Sequence, residues 1–445
     1  MNYVPHTELD KREMLKAIGL KSVDELFKDI PVNLRPRSFN IPQGKSEFEV
    51  VEYFKTLAAR NATHLTNFVG GGFYDHYIPA AVDALASKPE FYTAYTPYQP
   101  ECSQGWLQAI YEYQTVICEL TGLDLSNASL YDGGTALYEA AMMAVRLTGR
   151  KKIIVDSGVS LIYRTMLYTY TSNLSIEFIE TPVVHGQSCR EDIYNNLDDK
   201  TAAVIVQNPN FFGAVDDFSD IVKATQKKGA LAIASVYPVS LGILKSPGEM
   251  GFDIATGEGQ SLGIPLSFGG PYLGFIAVKK EHMRQMPGRI VGETLDKDGK
   301  RGFVLTLQAR EQHIRRERAT SNICSNEALC ALRALIYTSL LGKAGLQELA
   351  KLNYQKAEFA KTTLEKVSGV KVKRSSPTFN EFTLELSKNA DEVVFQMINN
   401  GIASGFPLGR FYKGLDNYLL VAVTEKRTKE EILNFAKNLE AALCS

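Results

Sequence analysis

Five short apolar runs limit what this chain can fold into more than any other feature. They are Lys152-Ile153-Ile154-Val155-Asp156, Ile176-Glu177-Phe178-Ile179, Ala202-Ala203-Val204-Ile205-Val206, Leu231-Ala232-Ile233-Ala234 and Leu273-Gly274-Phe275-Ile276-Ala277-Val278. A strand that is apolar on both faces must be covered on both, and helix-like segments separate most of these runs. The pattern predicts an α/β architecture built on a mainly parallel sheet. Such sheets bind ligands in the crevice at the carboxyl ends of their strands.

Three regions are expected. Residues 1–70 read as a helical arm, in which Ser22-Val23-Asp24-Glu25 and Ser46-Glu47-Phe48-Glu49 both fit a capping box. Pro31, Pro36 and Pro42 break the arm into an extended stretch that reads equally as a wrap around a partner subunit or a surface linker. Residues 71–344 form the large sheet domain. Residues 345–445 read as a smaller α+β domain: a helix over 344–367, strands near 369–373, 380–386 and 418–423, and a last helix over 428–443 capped by Thr428 and Glu431.

The 445 residues carry 49 Lys plus Arg against 50 Asp plus Glu, a net charge of −1. A near-neutral chain has no global field for nucleic acid or anionic lipid. No apolar run is expected to reach the roughly 20 residues that span a bilayer. Met1-Asn2-Tyr3-Val4-Pro5-His6 lacks a charged-then-apolar signal pattern, so the expected location is cytoplasmic. The six cysteines form no C-x-x-C pair and no metal-like spacing with the six histidines; they read as free thiols.

Several motifs carry possible chemistry. Tyr131-Asp132-Gly133-Gly134-Thr135-Ala136-Leu137 opens a helical run, and amides at a helix start favour an anion; it reads equally as a plain loop-to-helix junction. Gln207-Asn208-Pro209-Asn210-Phe211-Phe212-Gly213 follows a strand and is either a site-facing loop or a simple turn. Tyr92-Thr93-Ala94-Tyr95-Thr96-Pro97-Tyr98-Gln99-Pro100-Glu101 is a proline-stiffened aromatic loop, fit for interface packing or for lining a pocket. Arg310 to Asn322 is a charged run with His313 in it that comes before an apolar helix; it is either a solvated face or a docking surface for an acidic group.

Together these stretches resemble the glycine cleavage system P-protein family, and within it the first subunit of two-subunit glycine decarboxylases. The residues that carry the resemblance are Phe68–Tyr77 (FVGGGFYDHY), Tyr95–Gly105 (YTPYQPECSQG), Tyr131–Ala141 and the long run Gly288–Cys324. It covers essentially the whole chain. It departs at Arg318, where Lys is usual, and at Ser325, where Thr is common.

The resemblance implies the aspartate-aminotransferase-like fold of fold-type-I enzymes dependent on pyridoxal phosphate (PLP). Those enzymes carry a Schiff-base lysine within the stretch that here reads Thr256-Gly257-Glu258-Gly259-Gln260-Ser261-Leu262-Gly263-Ile264-Pro265 and continues to Gly274. This stretch has no lysine, Gln260 standing in that place; the nearest are Lys245 and Lys279. An aspartate that keeps the ring nitrogen protonated is expected after the strand ending at Ala234, where Ser235 stands. The implied role is a subunit without its own coenzyme, paired with a homologous PLP-bearing subunit 2 in a two-plus-two heterotetramer. Glycine would be decarboxylated there, and its aminomethyl group passed to the lipoyl group of H-protein. Tyr95, Tyr98, Gln99 and Glu101, with Thr320, Ser321 and Asn322, are the expected contributors to the partner's glycine pocket. Two other readings stay open: a self-sufficient PLP enzyme, and a structural or regulatory subunit that only stabilises its partner.

Overall fold

A computed structural model describes residues 5–38, 40–92, 95–267 and 269–444. Met1 to Val4 of the N-terminal reading, Thr93 and Ala94 of the aromatic loop, and Phe268 of the glycine-rich stretch lie outside the described residues.

The backbone contacts divide the chain into two compact units, Met1–His64 and Leu65–Ser445. In the first, α1 (Glu8–Ala17) and α2 (Glu47–Ala58) are the α-helices. Thr7 and Asp10 close a capping box on α1, and Ser46 and Glu49 close the expected one on α2. The box expected at Ser22 does not form. Val23–Phe27 is a single 3-10 turn, Ser22 makes no side-chain cap, and the Glu25 carboxylate accepts the Lys21 amide instead. One turn is too short to present the first-turn amides that a box satisfies. No described residue of this unit is buried.

The second unit is organised by a seven-stranded sheet. Its strands are β1 (Leu125–Ser126), β2 (Lys152–Asp156), β3 (Glu177–Thr181), β4 (Thr201–Asn208), β5 (Leu231–Val236), β6 (Ile254–Glu258) and β7 (Gly274–Val278). The order across the sheet is β1-β7-β6-β5-β4-β2-β3. β3, β2, β4, β5 and β6 run parallel, and β7 is antiparallel to both β6 and β1. The five apolar runs all lie on strands. β6 was not among them, because Ile254-Ala255-Thr256-Gly257-Glu258 mixes polar residues into a strand that is buried along its whole length. β5 runs two residues past the expected end, so Ser235 sits inside the strand, paired with Gln207 and Thr256.

Helices α3 (Gln104–Thr121) and α4 (Gly133–Thr148) pack against this sheet. A hairpin of β8 (Ile290–Leu295) and β9 (Arg301–Thr306) packs against α3. Helix α5, Ala328–Leu364, joins the apolar helix expected after Asn322 to the helix expected from 344, with a break at Gly342, whose φ of 60° and ψ of −177° are non-helical. By length and composition α5 is apolar enough to cross a membrane, contrary to the expectation that no run would be. Here it is a core helix: it packs on α3, buries Cys330, Leu332, Leu335 and Tyr337, and carries Arg333 in an ion pair with Asp83.

Beyond α5, four antiparallel strands form a second sheet in the order β10 (Val370–Val372), β11 (Glu381–Leu386), β13 (Tyr418–Ala422), β12 (Phe406–Pro407). Helices α6 (Ala390–Asn399) and α7 (Lys429–Cys444) share its core, in which Phe68, Phe382, Phe435 and Leu439 are fully enclosed. Thr428 and Glu431 cap α7 reciprocally, as expected.

Candidate functional site

The crevice at the carboxyl ends of β5 and β6 is crossed by the chain's own side chains, with a cavity of about 320 Å³ left beside Gln260. Gln260 lies two residues past β6 and is 2% exposed. Its Oε1 accepts the Tyr74 amide at 2.9 Å, and its Nε2 donates to the Tyr74 carbonyl at 3.1 Å and the Ile264 carbonyl at 2.8 Å. The side-chain amide thus pairs with Tyr74 as a neighbouring strand would. The two nearest lysines are engaged elsewhere: Lys245 with Asp217 at 3.1 Å, and Lys279 with Asp253 at 2.5 Å.

Side chains of the chain also take up two amides of the first turn of α4. Asp132 caps it through Thr135 at 2.8 Å, and Glu258 Oε2 accepts the Gly133 amide at 2.9 Å. Glu258 Oε1 accepts the amides of Gln260 and Leu273, both at 2.9 Å. Burial pushes this carboxyl up to about 7 despite those donors. There is no slack around it: a Cβ at Gly133 would lie 2.5 Å from the Tyr163 hydroxyl. A carboxyl group of the chain already takes up the Gly133 amide that a phosphate would need.

The segment Phe68–Tyr77 straps across this crevice through buried polar bonds. Glu381 Oε1 accepts the Gly71 amide at 2.7 Å and Glu381 Oε2 the Tyr74 hydroxyl at 2.9 Å. Burial raises the Glu381 carboxyl to about 7. His76 is held between Glu425, 2.7 Å from its Nδ1, and the Tyr237 hydroxyl. The glycines are required here, since a Cβ at Gly70 would lie 2.1 Å from Glu381 Oε1.

The expected site residues separate into two sets. Tyr95 is 81% exposed, and neither it nor the exposed Gln99 and Glu101 makes a side-chain hydrogen bond among the described residues. Tyr98 is partly exposed and anchored: its hydroxyl accepts Arg289 Nη2 at 3.0 Å, and its ring lies 5.3 Å from that of His313. On the second loop, the Thr320 amide donates to the Arg310 carbonyl at 2.9 Å, and Asn322 is exposed. Ser321 turns inward, its hydroxyl donating to Glu139 Oε1 at 2.6 Å.

Arg289 joins the two loops, and the sequence reading did not single it out. It is 7% exposed and also donates to the Cys324 carbonyl at 2.9 Å, Asn326 Oδ1 at 3.1 Å and Ser325 Oγ at 3.3 Å. Among the described residues no carboxylate pairs with it within 4 Å, and its Nε has no acceptor. A basic residue immediately before the apolar start of β8 was the available signal. The result is one surface on which Tyr98, His313 and the 320–326 loop meet, flanked by the free side chains of Tyr95, Gln99 and Glu101.

Comparison with known proteins places this geometry in a family. The family model for the glycine cleavage system P-protein matches residues 1–439. A protein of Geotalea uraniireducens described as probable glycine dehydrogenase (decarboxylating) subunit 1 is 59% identical over 443 residues, covering 100% of both chains. One of Maridesulfovibrio salexigens with the same description is 56% identical over 443 residues, again with 100% of each covered. A crystal structure of glycine decarboxylase (P-protein) of the glycine cleavage system, in inhibitor-bound form, matches with a TM-score of 0.92 and 43% identity over 100% of both chains. A sphingosine-1-phosphate lyase of Burkholderia pseudomallei shares the fold alone, with a TM-score of 0.69 and 13% identity over 92% of this chain and 93% of the other.

Proposed function

The chain belongs to the glycine cleavage system P-protein family, as a subunit 1 of glycine decarboxylase, and from that premise we propose that it completes an active site whose coenzyme is held by a second, homologous subunit. The observation that carries this reading is the Gln260 amide, bonded to the backbone of Tyr74 and Ile264 where a PLP lysine would have to stand free. PLP does not fit the residues present. An amide cannot form the covalent link, the buried Glu258 carboxyl occupies the Gly133 amide at the start of α4, and the neutral Ser235 hydroxyl cannot balance a protonated ring nitrogen.

What this chain offers its partner is the surface built on Arg289. Because Arg289 donates to the Tyr98 oxygen, the Tyr98 O–H is left to donate outward. Tyr95, Gln99 and Asn322 add exposed donors beside it. Groups of this kind hold a carboxylate in place and exclude water. Their roles here are to hold the carboxylate of glycine in the partner's pocket and to seal that pocket. The complex then releases CO2 and passes the aminomethyl group to the lipoyl group of H-protein.

The first unit supports an obligate pairing. Leu9, Phe27, Val32, Ile41, Phe48 and Phe54 are all exposed, and a soluble chain rarely leaves that much apolar surface uncovered. The test is reconstitution: glycine–bicarbonate exchange should appear only when this chain and the PLP-bearing subunit are mixed, saturating at a fixed ratio. Exchange by the partner alone, unchanged on adding this chain, would leave a stabilising role and refute the shared site.

A further inference from the structure

Away from Gln260, at the carboxyl ends of β2 and β3, lies a cavity of about 600 Å³. Its floor includes Ser157 after β2 and Glu180 on β3; its roof is the loop between β12 and β13, with Phe411, Tyr412 and Lys413. It shares no lining residue with the cavity beside Gln260. The size suits a small ligand, and the carboxyl ends of parallel strands are where this class of sheet binds one.

The wall chemistry narrows the ligand. The rings of Phe212, Phe411, Tyr412 and Tyr418 all line the space. Phe411 is stacked on Phe406 at 5.3 Å and Tyr412 lies 5.1 Å from Phe212, so these rings are braced. Glu180 is the one carboxylate among the lining residues, and both its oxygens are engaged, one by Arg164 and one by the Tyr168 hydroxyl. Lys373 is paired with Glu385 at 2.9 Å. Lys413 also lines the cavity, and among the described residues it has no ion pair. A cavity with braced rings, a neutralised acid and an uncommitted ammonium is built for a flat anion.

We propose that this cavity is a second small-molecule site, separate from the glycine site, for an aromatic or heteroaromatic ring that carries a phosphate or a carboxylate. The ring packs among Phe411, Tyr412 and Phe212, and the anion pairs with Lys413.

Calorimetric titration of the full-length chain tests it, with adenosine 5′-monophosphate and benzoate as the two anionic probes and adenosine and inorganic phosphate as the split halves. At least one anionic probe should bind saturably, and adenosine 5′-monophosphate, if it is the one that binds, more tightly than adenosine or phosphate. Lys413→Gln, an exposed change, should weaken that probe roughly tenfold or more, the scale of one charge-assisted hydrogen bond. Phe411→Ala should weaken it as well, while both variants keep the wild-type melting temperature. A preference for the phosphate or the carboxylate probe identifies which anion the site takes. Absence of saturable binding by both anionic probes, or equal affinity in Lys413→Gln, would overturn the proposal.

Discussion

The Tyr98 hydroxyl accepts a hydrogen bond from Arg289 at 3.0 Å, although the two residues stand 191 positions apart in the chain. The same guanidinium holds the Cys324 carbonyl and the side chains of Ser325 and Asn326, so one buried cation sets the spacing of both candidate loops. Arg289→Gln should therefore reduce glycine–bicarbonate exchange of the reconstituted complex by roughly a hundredfold, the penalty for a displacement of about 1 Å in a positioned group. Arg289→Lys keeps the charge but loses the fork and should fall between. Steady-state kinetics on complexes shown by gel filtration to be assembled would check this. Wild-type kinetics in both variants would remove Arg289 from the site.

Gln260 should matter to stability rather than to coenzyme binding. Gln260→Ala removes three buried hydrogen bonds and leaves Tyr74 and Ile264 backbone groups without partners. At about 1 kcal/mol each, the expected loss is about 3 kcal/mol in urea denaturation. Gln260→Lys should be destabilised similarly and acquire no PLP absorbance, because Glu258 still holds the Gly133 amide at the start of α4.

The buried Glu258 carboxyl makes stability pH-dependent with a definite sign. Folded, it titrates at about 7, against an ordinary value of 4.5. Between those values the native chain keeps a proton that the unfolded chain has lost, so stability is greatest below about pH 4.5 on this group's account. It declines as pH rises through 7, by about 3 kcal/mol for the group alone. Glu381, also raised to about 7, adds a decline in the same window. Glu258→Gln should flatten the slope between pH 5 and 8 in denaturation experiments, even though one amide-for-oxygen swap opposite Gly133 lowers stability overall. An unchanged slope would show that Glu258 titrates normally.

Phe48→Asp and Phe54→Asp place charges on side chains 74% and 62% exposed in the first unit. If that unit buries its apolar side chains on the second subunit, these changes should abolish co-elution and leave the melting temperature of the isolated chain unchanged. Normal co-elution would show that the unit is not the interface.

Much of the fold was legible because burial on both faces of the central strands leaves short apolar runs, separated by helix-like segments, along the chain. The strand Ile254–Glu258 escaped because its Thr, Gly and Glu break the apolar pattern although every residue of it is buried. The helix Ala328–Leu364 reads in the sequence as two, an apolar helix after Asn322 and a second from 344, because Gly342 interrupts it. At the site, the lack of lysine could be read directly from Gln260. That Gln260 would mimic a strand edge toward Tyr74, 186 positions away, could not, since the pairing exists only after folding. Ser321 looked free for the same reason, its acceptor Glu139 being 182 positions distant. The role of Arg289 depends on three separate segments meeting, which no local pattern records.

The most direct test of a shared active site is borohydride reduction of the reconstituted complex, followed by mass spectrometry of each chain. We expect the pyridoxyl group on the second subunit alone, with none on this chain before or after adding glycine. A pyridoxyl group on Lys245, Lys279 or any other amine of this chain, with glycine turned over in its partner's absence, would contradict it.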